Sequence, residues 1–265
     1  MTYTIIGTGN IAWFLAKRLT AAGHQCVGIY GRNPEAATEL AASINLTPFS
    51  KLSDIMDGQA DICFLSLSDY SIQSVAMQIS LSNTVVVHTA GSVDLKAVSA
   101  ASKDHAVLWP VYSINKNNLP NHRDIPCAWE ASSDKAKRYV LSIAHGITDI
   151  LFEAKTEQRK WLHLTAVLSN NFINHLVAVC EQICIAQDLP FSVLQPIIEQ
   201  TFEIIKKQPP KEAQTGPARR GDKPTIDKHL ALLQSQPDLQ LVYKALTASI
   251  ESMYNLNNKD KAAKS

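Results

Sequence analysis

Four groups of residues have types and spacings that could do chemistry. The first is Gly7, Gly9 and Ala12, set as G-x-G-x-x-A within Thr4-Ile5-Ile6-Gly7-Thr8-Gly9-Asn10-Ile11-Ala12. Here Gly7 allows a tight turn off a strand, Gly9 lets a pyrophosphate reach the backbone, and Ala12 lets a helix pack close. The unpaired N–H groups at that helix start present partial positive charge to a phosphate. The second group is Gly31-Arg32-Asn33. Its guanidinium matches a phosphate bidentately, and the stretch has no carboxylate to bind a ribose hydroxyl. NADP(H) is therefore favoured over NAD(H); the competing reading makes Arg32 a solvated surface cation. Asn33 can cap a helix and hold phosphate together.

The third group is His163, Asn170 and Asn174, spaced by seven and four. On a regular helix they share one face, where His163 could serve as general acid and the asparagines could orient a substrate. The alternative is that they bond to backbone or to a second subunit. The fourth is Arg219-Arg220, inside Thr215-Gly216-Pro217-Ala218-Arg219-Arg220-Gly221-Asp222. Adjacent arginines on a glycine-proline turn could hold a carboxylate or phosphate, or simply belong to a solvated loop. Asp222 either caps the next helix or orients an arginine. Asp227 and His229 read as surface residues one turn into that helix.

These groups need elements to position them. Apolar runs at Gln25–Tyr30, Asp61–Ser66, Thr84–Val87, around Val107, near Cys127–Trp129 and at Ile147–Phe152 read as strands alternating with helices. Helices are expected from Trp13 to Ala22, from Pro34 behind an Asn33 cap, and from Ser133 to His145. This alternation predicts an α/β fold with a doubly wound parallel sheet. In such sheets ligands bind beyond the carboxyl ends of strands. That places Ser66-Leu67-Ser68 and Thr89-Ala90-Gly91-Ser92 at the reactive end of the cofactor, with Ser92 toward substrate. For Ser66 and Ser68, helix capping is the equal rival.

Near Glu153 the alternation stops. Thr156 to Asp188 lacks proline and glycine and reads as one long helix. Further helices are expected from Pro190 to before Pro209, from Pro224, and from Asp238 to about Asn255, with a polar loop over Lys211–Lys223. The predicted organisation is a nucleotide-binding domain over 1–153, an all-helical substrate and dimerisation domain over 154–256, and a frayed tail over 257–265.

Composition narrows the partners. The 265 residues carry 25 basic and 24 acidic side chains, a net charge of +1, and are 46% hydrophobic. That balance gives no electrostatic footprint for nucleic acid. No apolar run reaches the ~20 residues of a membrane helix, and the chain opens on a strand rather than a leader. Cys26, Cys63, Cys127, Cys180 and Cys184 are scattered with no CxxC pair, so neither metal nor disulfide framework is expected. Cys180 and Cys184, one turn apart, read as an apolar pair. A reducing cytoplasm is the expected location.

Residues 1–150 resemble the Rossmann domain shared by pyrroline-5-carboxylate reductase, ketopantoate reductase and the β-hydroxyacid dehydrogenases, the 6-phosphogluconate dehydrogenase-like superfamily. The matching residues are Gly7 to Ala12, Gly31-Arg32-Asn33 and His88-Thr89-Ala90-Gly91-Ser92. The second half is similar to one subfamily through two signatures. One is His163-Leu164-Thr165-Ala166-Val167-Leu168-Ser169-Asn170-Asn171; the other is Thr215 to Asp222 with Thr225 and His229. Together these resemble the NADP-dependent or deazaflavin-dependent oxidoreductases that join a Rossmann domain to a helical domain of unknown function. The resemblance implies NADP(H) binding and a helical homodimer, and covers nearly the whole chain. Two departures stand out. The proton-donating lysine of β-hydroxyacid dehydrogenases would fall on Ala166 or Val167, and Trp109 replaces the histidine expected before Pro110.

The reading is an NADP(H)-dependent oxidoreductase. It moves hydride to or from a small carbonyl or imine held in an interdomain cleft, with His163 as proton donor. The alternative is an NADP(H)-binding sensor or assembly protein without turnover. A methyltransferase is disfavoured by Arg32, which stands where such sites place an acidic residue.

Overall fold

The strands run Thr2–Ile6 (β1), Gln25–Tyr30 (β2), Ile62–Leu65 (β3), Val85–His88 (β4), His105–Pro110 (β5), Cys127–Ala131 (β6) and Leu151–Glu153 (β7). They form one sheet in the order β2-β1-β3-β4-β5-β6-β7. In this computed structural model the described residues are 1–262, with side chains described through Tyr254. Neighbouring strands are parallel except β5 and β6, where Leu108 faces Trp129 in an antiparallel pair. A parallel pair needs a crossover, usually a helix. Residues 111–126 form a helix-free loop instead, so β6 returns antiparallel. The sheet is therefore mostly rather than wholly parallel.

Helices Asn10–Ala21 (α1), Pro34–Ala42 (α2), Asp69–Ala76 (α3) and Asp134–Ala144 (α4) cover both faces. Strand residues alternate between two cores, as the two-residue pleat requires. Ile62 and Phe64 pack with Phe14, Leu40 and Val140 of α1, α2 and α4. Cys63 and Leu65 pack with Ile72 and Ala76 of α3. This is the doubly wound arrangement. The caps read from sequence are present. Asn33 accepts from the Ala36 N–H at 3.1 Å and Ser133 from the Ala136 N–H at 3.1 Å. Helix α1 starts three residues earlier than expected, directly after Gly9.

The remaining helices are Thr156–Ala166 (α5), Phe172–Ala186 (α6), Gln195–Lys207 (α7), Pro210–Ala213 (α8), Pro217–Arg220 (α9), Lys223–Leu232 (α10) and Pro237–Ala262 (α11). The single long helix expected from Thr156 is thus corrected. A π-helical turn, Val167–Asn171, separates α5 from α6, and the Phe172 N–H reaches back five residues to Val167. Local side chains account for the widening. Thr165 Oγ1 bonds the Leu162 carbonyl at 2.9 Å and Ser169 Oγ the Ala166 carbonyl at 3.4 Å, competing with the regular ladder. The expected polar loop over Lys211–Lys223 contains two single-turn helices, α8 and α9.

The chain divides into two compact units, Met1–Ala178 and Val179 onward. The helical region beginning at Thr156 therefore starts within the first unit. Helix α11 is described to Ala262, so the last three residues of the expected tail lie outside the described residues. No helix among the described residues is long and apolar enough to cross a membrane.

Candidate active site

The chain order reverses at β1, which lies between β2 and β3, and a crevice at such a point is where open α/β sheets bind ligands. A cavity of about 640 Å³ opens there. Gly7 to Ile11, Gly31-Arg32-Asn33, Ser66-Leu67-Ser68 and Thr89-Ala90-Gly91 all line it. Those loops, read from four separate stretches, are brought together by the carboxyl ends of β1 to β4. Ala12 alone of the expected cofactor residues lies behind the cavity, fully buried in the core, as its packing role requires. The turn off β1 is tight. Gly7 has φ +128°, and a Cβ there would stand 2.1 Å from the Ser66 carbonyl oxygen.

The first unit fits a dinucleotide on two observations. A Cβ on Gly9 would have no heavy atom within 4 Å, leaving backbone accessible to a phosphate. Ser66 Oγ is buried with no hydrogen-bond partner although the residue lines the cavity, so a polar ligand would satisfy it. Ser68 flanks α3 without capping it; its hydroxyl meets Ser71 Oγ at 2.9 Å. Asn10 also has a local duty, since its Oδ1 accepts the Lys116 N–H at 3.0 Å and holds the 111–126 loop.

A second cavity of about 610 Å³ adjoins the first. Trp109, Pro110, Tyr112 and His163 line both. His163 and Asn170 share the second cavity, joined by Asn171 and Ser169 of the π turn. Asn174 is exposed and does not line it, because the π turn changes the register that a regular helix would have given. Ala166 and Val167, the positions where a lysine would fall, also line this cavity and carry no titratable group. The His163 ring meets the Trp109 ring edge-on, centroids 5.7 Å apart. Trp109 also fixes Gly91, whose Cβ would lie 2.5 Å from the indole.

Ser92 lines neither cavity. Its hydroxyl donates to the Asp69 carboxylate, tying the loop after β4 to the first turn of α3. His88, at the end of β4, is fully buried, and burial first and Arg159 second push its pKa down to about 3. It stays neutral, with Nδ1 accepting the Ala90 N–H at 3.3 Å.

In the second unit Arg219 and Arg220 are exposed. The Arg219 guanidinium stacks 4.1 Å over the Tyr254 ring, and Arg220 lies 3.9 Å from Asp222. Asp222 caps α10 by accepting the Thr225 N–H at 3.2 Å. His229 is partnered by Tyr243, Nδ1 to hydroxyl at 2.8 Å, rather than standing free on the surface. Among the described residues no cluster of His, Cys, Asp or Glu could hold a metal ion.

Sequence reasoning missed Tyr112, Ser71 and Ser74 on α3, and Gln78 just past its end, all of which line the first cavity. Their signal was present but weak: an aromatic two residues past β5, and polar residues three and four apart along a short helix and the turn after it.

Residues 2–91 match the family described as NADP oxidoreductase, coenzyme F420-dependent, and residues 125–250 match a domain of unknown function, DUF2520. Comparison with curated proteins gives no match. Among solved structures, one described as a "putative NADP oxidoreductase" from Bacteroides fragilis is 33% identical, with 95% of this chain and 98% of that one covered and a TM-score of 0.87. A 1-pyrroline-5-carboxylate reductase from Streptococcus pyogenes shares the fold at 16% identity, covering 95% and 98%, with a TM-score of 0.63. An imine reductase variant from Myxococcus stipitatus does so at 14%, covering 96% and 93%, with a TM-score of 0.65.

Proposed function

The chain belongs to the same NADP oxidoreductase family as the Bacteroides fragilis protein, and on that footing we propose that it moves hydride between NADP(H) and a small carbonyl or imine. The observation that carries this reading is the junction of the two cavities at Trp109, Pro110, Tyr112 and His163. NADP(H), when bound, supplies or accepts the hydride. The chain's own residues do the rest. The turn Gly7 to Ile11 binds pyrophosphate, and Arg32 with Asn33 holds the 2′-phosphate. Ser66, Ser68 and Thr89 to Gly91 frame the nicotinamide. Substrate lies in the second cavity, whose Trp109 wall excludes water. His163 holds the proton for the substrate oxygen or nitrogen, and Asn170 orients the substrate by its carboxamide.

The test is a screen of aldehydes, ketones, ketoacids and imines for NADPH oxidation, repeated with His163→Ala. Turnover should fall about 100-fold in the variant, the usual contribution of a positioned acid. Unchanged turnover removes the role of His163. Absence of turnover with every class favours the second reading, binding without catalysis. That reading is supported by the lysine positions being Ala166 and Val167, neither of which can donate a proton.

The protein is further proposed to act as a homodimer in the cytoplasm. Trp161, Leu164, Leu168 and Phe172 line up along α5 to the start of α6, all exposed, with Trp161 at 68% and Phe172 at 54%. Leu241 and Leu246 are likewise exposed on α11. Patches of this kind are commonly covered by a partner. Five free thiols suit a reducing compartment. Arg219 and Arg220 retain a proposed part in binding an anionic substrate group, and Asn174 and Ser92 in orienting substrate.

A further inference from the structure

We propose that Arg159 is a positioning residue that fixes the nicotinamide end of the cofactor cavity. It does so by tying the loop of Thr89 to Gly91 to the helix that bears His163. The inference rests on the cofactor reading above.

Arg159 is 0% exposed. It donates to the Glu130 carboxylate on β6, to the Val93 carbonyl at 2.8 Å, to the Ala154 carbonyl at 3.2 Å and to Thr156 Oγ1 at 3.4 Å. Thr156 completes the knot. Its hydroxyl donates to Glu130 at 2.9 Å and accepts the Leu95 N–H at 3.3 Å. One buried ion pair thus holds residues 93–95, β6 and the first turn of α5. Stability does not account for it, because well-packed apolar side chains commonly replace such a pair at no loss. What apolar side chains cannot supply is direction, meaning a fixed distance from the helix to the Val93 carbonyl.

That distance bears on the site. Val93 lies two residues past Gly91, and His163 lies one turn past Arg159. Gly91 and His163 both rest on the Trp109 indole. The loop and the helix are therefore clamped twice, by Trp109 at the cavity and by Arg159 behind it. Releasing the rear clamp lets the cavity wall shift without disturbing the distant end at Arg32.

The two ends can be measured separately. The fragment 2′,5′-ADP reaches only the Arg32 end, whereas NADPH reaches both. Arg159→Met alone strands Glu130 and should lower Tm by roughly 10 °C. The double variant Glu130→Leu/Arg159→Met should regain most of that. With Tm regained, the double variant should bind 2′,5′-ADP as wild type does and NADPH about tenfold more weakly, the loss of a single charge-fixed contact. A purely structural role predicts wild-type affinity for both ligands and overturns the proposal. Should the double variant fail to fold, Thr156→Ala carries the test. It should weaken NADPH about threefold relative to 2′,5′-ADP, and an unchanged ratio overturns the proposal. Wild-type protein that binds neither ligand refutes the cofactor reading and this inference with it.

Discussion

Replacing Arg32 by Ala should convert an NADPH-selective protein into one that barely distinguishes NADPH from NADH. Arg32 follows β2 by two residues and lines the first cavity beside Asn33, whose side chain already caps α2. A charge-assisted hydrogen bond contributes about 1.5–3 kcal/mol, or roughly 10- to 150-fold in affinity. Two features of the site pull toward the lower end. Arg32 is exposed, so its field is screened by salt. The Tyr70 phenol also stands nearby, its pKa lowered first by Ser68 and Ser71 and then by Arg32, so a phosphate competes with Tyr70 for the guanidinium. The expected loss for NADPH is therefore about 10- to 30-fold, with NADH changed less than about twofold. Nicotinamide fluorescence titrations of both cofactors, at low and at physiological ionic strength, measure it. The wild-type preference should shrink as salt rises, and the variant should show little salt dependence. Equal losses for the two cofactors, or none, would refute the phosphate role and leave Arg32 a surface cation.

The first half was legible because its signals are local. The G-x-G-x-x-A turn, the Asn33 cap and the apolar runs of β3 and β4 each act over a few residues, and each stands where it was expected. Two features were not legible. The antiparallel return of β6 depends on a long loop, held by Asn10 at one point and by Arg18 on the Pro120 carbonyl at another. Partners that distant leave no periodic trace. The π turn was hidden for the opposite reason: Thr165 and Ser169 look helix-compatible one at a time, and only their joint capture of backbone carbonyls widens the turn. The same turn lines the second cavity with Asn170 beside His163, whereas Asn174 does not line it. Arg159 was missed because a lone arginine in a helix reads as solvated, and its burial follows from Glu130 on a strand far off in sequence.

Two further outcomes are expected. Light scattering should give a dimer, and Leu164→Glu with Leu168→Glu, at exposed positions on α5 and the π turn, should yield a folded monomer; a monomeric wild type would refute the assembly. The second concerns His88, whose folded-state pKa of about 3 lies below its ordinary value of 6.5 because burial and then Arg159 disfavour the imidazolium. Between those values the unfolded chain binds a proton that the folded chain refuses, so stability is whole above pH 6.5 and falls as pH drops toward 3. At pH 5 the gap of about 1.5 pH units from 6.5 corresponds to a loss of about 2 kcal/mol relative to pH 7. Urea unfolding at both pH values should show wild type losing that much more than His88→Asn, which keeps an acceptor for the Ala90 N–H but does not titrate. His24, also shifted downward by burial, is common to both proteins and cancels in the difference, so equal losses would mean that His88 is charged in the folded state.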